Sequence, residues 1–430
     1  MSLRARLTSR IGRVLLARTM KGGLDLRALR RMPDRLTTPF RRDGLDPVPE
    51  IGELRERTPI ARLGDFFGRG VWLVTGYADN RALLADGASF SNDLGQFVPQ
   101  EGRSAEEQIG GLGMTDPPLH TELRRYLTPE FTKRKLARLE PLIGRIVAER
   151  LDAIEAAGPD LDLVSDFAFP IPFEVICELL GLPEADRERF HGLGVARFDL
   201  TEGGAGSFGA AAASREFLIG AVARQRAEPG PGLIGGLLTE HGDKLDDVTL
   251  GGLADGVFLG GYETSASMLG LGAYLVSRTP AARELLMADD ESADRVVEEL
   301  LRHLTVVQVA FPRFARVDVP LSDGRVIRSG DIVGFSLVAA NRDPALAEDP
   351  DTFDPTRAPT RHLAFGHGVH RCVGSELARM ELRIALRELV RRFPGLTPTA
   401  EIDELEFRKL SAVYGVAALP ATLAGVHSPV

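Results

Sequence analysis

The chain has 430 residues, 44% of them hydrophobic and 26% charged, with a mean hydropathy of −0.04, which excludes disorder, collagen-like repeats and coiled coil and supplies a large buried core. Two cysteines, Cys177 and Cys372, are too few for a disulfide framework or an all-cysteine metal site and fit a reducing cytoplasm. The net charge of −9 is split: residues 1–42 hold twelve Lys/Arg against two Asp, an excess of +10, so residues 43–430 carry −19, an acidic body that argues against nucleic acid as the main partner.

In chain order, Leu3, Leu7, Ile11, Val14 and Leu15 fall at helical spacing among Arg4, Arg6, Arg10, Arg13 and Arg18. Without an uninterrupted apolar core this start is neither a secretory signal nor a membrane span; it reads as a solvated arm, or as a helix for a partner or weak contact with a membrane surface. Pro33, Pro39, Pro47 and Pro49 separate the arm, residues 1–42, from a single body, 43–430. Residues 70–76 read as a glycine-bounded strand and 77–86 as a helix. Residues 119–156 are helical with a break near Pro129, and 205–241 helical with a turn at 228–232. Residues 313–338 alternate as short strands around the hairpin signal Asp323-Gly324. Residues 344–370 are irregular and 375–392 helical. The class is mainly α with a small β part, and the strands do not alternate with helices as a doubly wound sheet requires.

Residues 247–277 form a helix of about 45 Å at 1.5 Å per residue, apolar on most faces and therefore interior. It carries seven glycines, Gly251, Gly252, Gly256, Gly260, Gly261, Gly270 and Gly272, each costing about 1 kcal/mol against Ala. Either close helix packing or the approach of something bulky and flat accounts for that load. Asp255 and Glu263 within it argue against a membrane span.

The chemistry concentrates in Phe365-Gly-His-Gly-Val-His-Arg-Cys372-Val-Gly374. A cysteine in a glycine-rich loop, just before a helix starting near Ser375, has backbone N–H groups and a helix dipole to stabilise its thiolate. Such an exposed thiolate suits one axial bond to a haem iron; a structural loop cysteine is the plainer alternative. The ten residues resemble the haem-ligand loop F-x-x-G-x-[HR]-x-C-x-G of the cytochrome P-450 family, and the resemblance runs from Asp116-Pro117-Pro118 to Pro420.

The resemblance implies that fold, with haem b (iron protoporphyrin IX) between the long distal helix and the cysteine loop with its proximal helix. Cys372 then matches the iron ligand, Phe365 the aromatic packed beside it, Gly366 a loop glycine, and His370 a propionate-binding position. His120 and Arg124 match H-x-x-x-R over the haem edge, and Arg313 the arginine entering the small sheet; read without the family, both are solvated charge. Glu299 and Arg302, spaced i,i+3 on one helix face, match E-x-x-R, a structural network that Arg357 completes. Gly260-Gly261-Tyr262-Glu263-Thr264 resembles the distal [AG]-G-x-[DE]-T, with Gly261 beside the cofactor and Glu263 and Thr264 guiding protons to bound oxygen, although a helical threonine also bonds its own i−4 carbonyl.

The activity implied is insertion of one atom of O2 into a lipophilic substrate. No flavin or iron–sulfur segment follows the haem domain, so electrons come from a separate ferredoxin or flavodoxin with its NAD(P)H reductase, docked on Lys133, Arg134, Lys135, Arg138, Arg371, Arg379 and Arg383 or on none of them if that face is only solvated. Pocket linings implied by the resemblance are residues 90–113 and 190–210, the apolar Val306, Val307, Val309 and Ala310, and Val413 with Tyr414. Tyr414 departs from the arginine common before this glycine, and Tyr262 is a less usual insert. The alternatives are a peroxide-driven or oxidative-coupling enzyme on the same scaffold, against which the intact Glu263-Thr264 pair argues, and a non-catalytic haem sensor or ligand carrier.

Overall fold

The computed structural model describes residues 33–66, 68–93, 111–198, 205–408 and 411–423. The amphipathic pattern over residues 3–18 therefore lies outside the described residues, as do much of the expected pocket linings at 90–113 and part of those at 190–210.

The N-terminal part pairs helix α1 (Pro49–Arg57) with strands β1 (Ile60–Phe66) and β2 (Arg69–Val74), then α2 (Tyr77–Ala85) and a short β3 (Phe90–Ser91). The helical part follows: α3 (Leu119–Leu127), α4 (Glu140–Ala157), α5 (Pro170–Leu180), α6 (Glu184–Phe198), α7 (Ala205–Ala227), α8 (Leu233–His241), α9 (Asp247–Arg278), α10 (Pro280–Ala288) and α11 (Asp290–Leu304). Strands β4 (Val309–Ala315) and β5 (Ile332–Ser336) flank a small hairpin about Gly324, which adopts φ +84°. Helix α12 (Ser375–Arg392) follows the cysteine loop. The main sheet has the order β1-β2-β5-β4-β3, with β5 parallel to β2 and the other pairings antiparallel. The break expected near Pro129 is longer than one turn, since 3-10 and short α turns fill residues 128–139.

Helix α9 runs through the core as its composition requires. The Asp246 side chain accepts from the Thr249 N–H at 2.7 Å, an N-cap worth about 1 kcal/mol. Most of its apolar residues from Leu250 to Val276 are buried. Its glycines divide by purpose. A Cβ on Gly251 would lie 2.5 Å from Ile219 and one on Gly261 3.0 Å from Ile176, so both serve close helix packing, whereas nothing lies within 4 Å of a Cβ on Gly260. Tyr262 is 1% exposed, ringed by Phe169, Phe173 and Phe258; the unusual insert is a core residue.

The boundary expected at residue 42 falls inside packed structure. Leu36, Thr38 and Pro39 are buried, and Arg42 donates to the carbonyl oxygens of Leu304 (2.7 Å) and Thr305 (2.6 Å), closing the C-terminus of α11. The body thus begins upstream of residue 43, because one of the twelve basic side chains reaches carbonyls that helix geometry leaves unpaired.

Candidate active site

The cysteine loop is held by its own backbone and by the elements under it. The Cys372 N–H donates to the Phe365 carbonyl at 2.9 Å. Gly366 and Gly368 have φ of +68° and +74°, and a Cβ on Gly368 would stand 2.5 Å from the Leu84 carbonyl oxygen, so α2 can approach only a glycine there. Arg379, one helical turn into α12, lies over the Phe365 ring at 4.7 Å and donates to Glu298 of α11 at 2.5 Å. Cys372 keeps an accessible surface although protein surrounds it; burial raises its thiol, while the Gly374 N–H and the guanidinium groups of Arg124, Arg371 and Arg379 favour the thiolate.

A buried basic cluster lies in the electrostatic reach of this loop. His120, at the start of α3, faces His370 with ring centroids 4.2 Å apart. Burial, then Arg124, pushes His120 down to about 4, and burial, then His120 and Arg313, pushes His370 down to about 3. Arg313 of β4 is 2% exposed, its guanidinium 5.4 Å from the Phe335 ring centroid, and burial lowers it to about 10. Both ring nitrogens of His120 and Nε of Arg313 are buried with no partner. Unpaired donors of this kind are costly unless something anionic meets them, and the two carboxylates of a haem are such partners, so the residues present fit that group. Arg124 is placed differently: its Nη2 donates to the Arg371 carbonyl at 2.6 Å, beside the cysteine.

On α9, Thr264 Oγ1 donates to the Gly260 carbonyl at 2.6 Å, so these two residues share one face. Gly260 is the exposed glycine of the motif, and Gly261, expected beside a cofactor, instead packs on Ile176; the helical rotation of about 100° per residue makes that difference. Glu263 does not meet Thr264. Its carboxylate pairs with Arg408, which also donates to Ser267 Oγ at 2.8 Å. Burial pushes Glu263 up to about 7, with Arg408 pulling the other way. Nothing in the sequence marks Arg408 beyond a positive charge, beside Lys409, near the C-terminus.

Glu299, Arg302 and Arg357 come together. Arg302, fully buried, makes a bidentate pair with Glu299 at 2.7 and 2.8 Å and donates to the carbonyls of Asn341 and Pro350. Arg357 Nε reaches Glu299 at 3.3 Å. The i,i+3 pair is therefore interior.

Of the expected pocket residues, Val307 bridges Val413, the Val306 carbonyl accepts from the Tyr414 N–H at 2.7 Å, and Val309 and Ala310 lie on β4 opposite Ser336 and Phe335. Tyr414 does not belong to that lining. It is 3% exposed, its hydroxyl donates to the Gly44 carbonyl at 2.5 Å, and Arg42 sits over its ring at 4.5 Å; it clasps the N-terminal segment.

Comparison with known proteins shows the family and the fold. The cytochrome P450 family model matches residues 233–413. Cytochrome P450 165C4 of Amycolatopsis orientalis is 41% identical over 373 residues, 85% of this chain and 92% of that protein. Mycinamicin IV hydroxylase/epoxidase of Micromonospora griseorubida is 38% identical over 382 residues, 88% and 96% of the two chains. The crystal structure of OxyC, a cytochrome P450 implicated in an oxidative C–C coupling reaction during vancomycin biosynthesis, superposes with a TM-score of 0.80 at 39% identity, covering 89% of this chain and 96% of that one.

Proposed function

This chain belongs to the cytochrome P450 family and is a P450 monooxygenase, and on that premise we propose that it inserts one oxygen atom of O2 into a C–H or C=C bond of a lipophilic substrate, using haem b. The observation that carries this reading is Cys372 on its glycine loop, with three guanidinium groups favouring its thiolate and the unpaired donors of His120 and Arg313 in the same basic cluster. Haem b would be held by Cys372 at the iron and by His120, Arg313, His370 and the neighbouring Arg124 at its carboxylates, and when bound it supplies the iron centre at which O2 is reduced.

The chain's own residues do the rest. Burial raises the Cys372 thiol, and the Gly374 N–H and the three guanidinium groups oppose that rise by favouring negative charge on Sγ. Thr264 Oγ1 holds a proton on the Gly260 carbonyl and turns it toward oxygen, and Glu263, the preceding residue on α9, resupplies protons. Val306, Val307, Val309, Ala310 and Val413 give an apolar lining that binds lipophilic substrate and excludes water. Electrons come from a separate ferredoxin or flavodoxin with its reductase, in a cytoplasmic setting that the unpaired Cys177 and Cys372 fit.

Replacing Cys372 by Ser tests the ligand: the reduced carbon monoxide complex should lose the long-wavelength band that gives the family its name, and a variant that keeps it with haem bound refutes the assignment. A second reading, oxidative coupling, is favoured by the similarity to OxyC. Isotope-labelled dioxygen separates the two, since insertion places label in the product and coupling yields a joined product without it. No helix among the described residues is long and apolar enough to cross a membrane.

A further inference from the structure

The acid of the distal helix is not free. Residues 406–408 and 415–417 form the two arms of a C-terminal hairpin, joined by the bridge Phe407–Val416 and by the Arg408 N–H donating to the Gly415 carbonyl at 2.9 Å. From it the Arg408 side chain crosses Gly415, passes 5.6 Å from the Phe169 ring centroid and ends between Glu263 and Ser267 of α9. A Cβ at Gly415 would stand 2.5 Å from Arg408 Nη2 and 2.8 Å from Ser267 Oγ. The guanidinium and the carboxylate are both largely buried, at 20% and 10% side-chain exposure, where a charge pair is screened little by salt.

We propose that Arg408 is a positioning residue that fixes the Glu263 carboxyl on α9, and that residue 415 is glycine to admit it. The inference rests on the proposed role of Glu263 as proton donor. Two independent features support it: the guanidinium is anchored on both Glu263 and Ser267, and a Cβ at residue 415 would stand in its path. The groups facing Glu263 are few. Arg408 comes from the hairpin, and on α9 itself the neighbouring Tyr262 phenol is raised to about 12 by burial and then by Glu263, remaining neutral. Burial raises the Glu263 carboxyl and the cation opposes this, leaving its titration at about 7, so that it both gives and takes a proton near neutrality.

The test follows the Glu263 carboxylic acid stretch in the infrared as a function of pH in the haem-loaded protein, the band being identified by its loss in Glu263→Gln. Arg408→Met should move that titration alkaline by about one unit or more, the effect of removing an opposite charge at contact. Arg408→Lys should restore part of the shift, and Gly415→Ala, which leaves Arg408 in the chain, should shift it in the same direction as Arg408→Met. Should Arg408→Met not fold, Arg408→Lys and Gly415→Ala carry the comparison. Titrations superposable on wild type in these variants overturn the proposal. Product formed per NADH is measured alongside: wild-type coupling in Glu263→Gln refutes the donor role on which the proposal rests, whereas lost coupling in that variant with an unmoved titration in the Arg408 variants refutes the positioning role alone.

Discussion

Single residues show how burial changes the meaning of a charge. Glu381, on the buried side of α12, has an unpartnered Oε1, and burial alone pushes its carboxyl up to about 8. In the unfolded chain it titrates near the ordinary glutamate value, about 4.3. Between those two values the folded state keeps a proton that the unfolded state has lost, so stability falls as pH rises from about 4.3 to 8 and is flat beyond. Glu381→Gln removes that term: its thermal midpoint should exceed wild type at pH 8 and converge with it near pH 5. Arg302 shows the opposite case, a buried charge fully paired. Arg302→Ala leaves Glu299 charged in the core and should cost on the order of 3–5 kcal/mol, read as a lower denaturant midpoint with haem lost at lower denaturant than in wild type.

At the scale of elements, the helices were legible where periodicity was strong and the ends carried chemistry. The long helix expected over 247–277 is Asp247–Arg278, and the helix after the cysteine loop is Ser375–Arg392 as read. Less legible was what the ends of elements need from afar. The C-terminus of α11 is completed by Arg42, some 260 residues away in sequence, which also bonds Gln308 and covers Tyr414. Hydrogen bonds to a charged donor contribute about 1.5–3 kcal/mol each. Deleting residues 1–42 should therefore lower the thermal midpoint well below that obtained by deleting 1–32, and Arg42→Ala in the full chain should reproduce much of the difference. Equal midpoints for the two deletions would show that the clasp contributes nothing.

Over the whole molecule, charge is more evenly cancelled than the sequence suggests. Five of the seven cations expected to form a docking face meet six carboxylates. Lys133 pairs with Glu376, Lys135 and Arg138 with Glu130, Arg379 with Glu298 and Glu376, and Arg383 with Glu140, Asp290 and Asp294. Among the described residues of that set, Arg134 and Arg371 have no ion pair within 4 Å. If an acidic electron donor docks here, Arg134→Glu and Arg371→Glu should slow reduction by a ferredoxin at low salt, with the difference fading as salt rises. Lys135→Glu and Arg138→Glu should slow it less. Stopped-flow reduction across a salt series decides this, and equal effects at all four positions would count against pairing as the cause.

What the sequence alone determined is local or contiguous. The cysteine loop is ten consecutive residues, the distal motif five, and the hairpin at Asp323-Gly324 two, and in each the constraint is backbone shape or spacing along one element. The class of fold followed from the same signals, since apolar periodicity records which face an element buries. What only tertiary structure decided is which distant groups meet. That Gly260 rather than Gly261 lies on the open face, that Tyr414 turns to Gly44, and that Glu263 is held by Arg408 all depend on how helices and the C-terminal hairpin are rotated against one another. An arginine in sequence carries no record of its partner; burial and approach to within hydrogen-bonding distance create the interaction, and those arise only when the chain closes on itself.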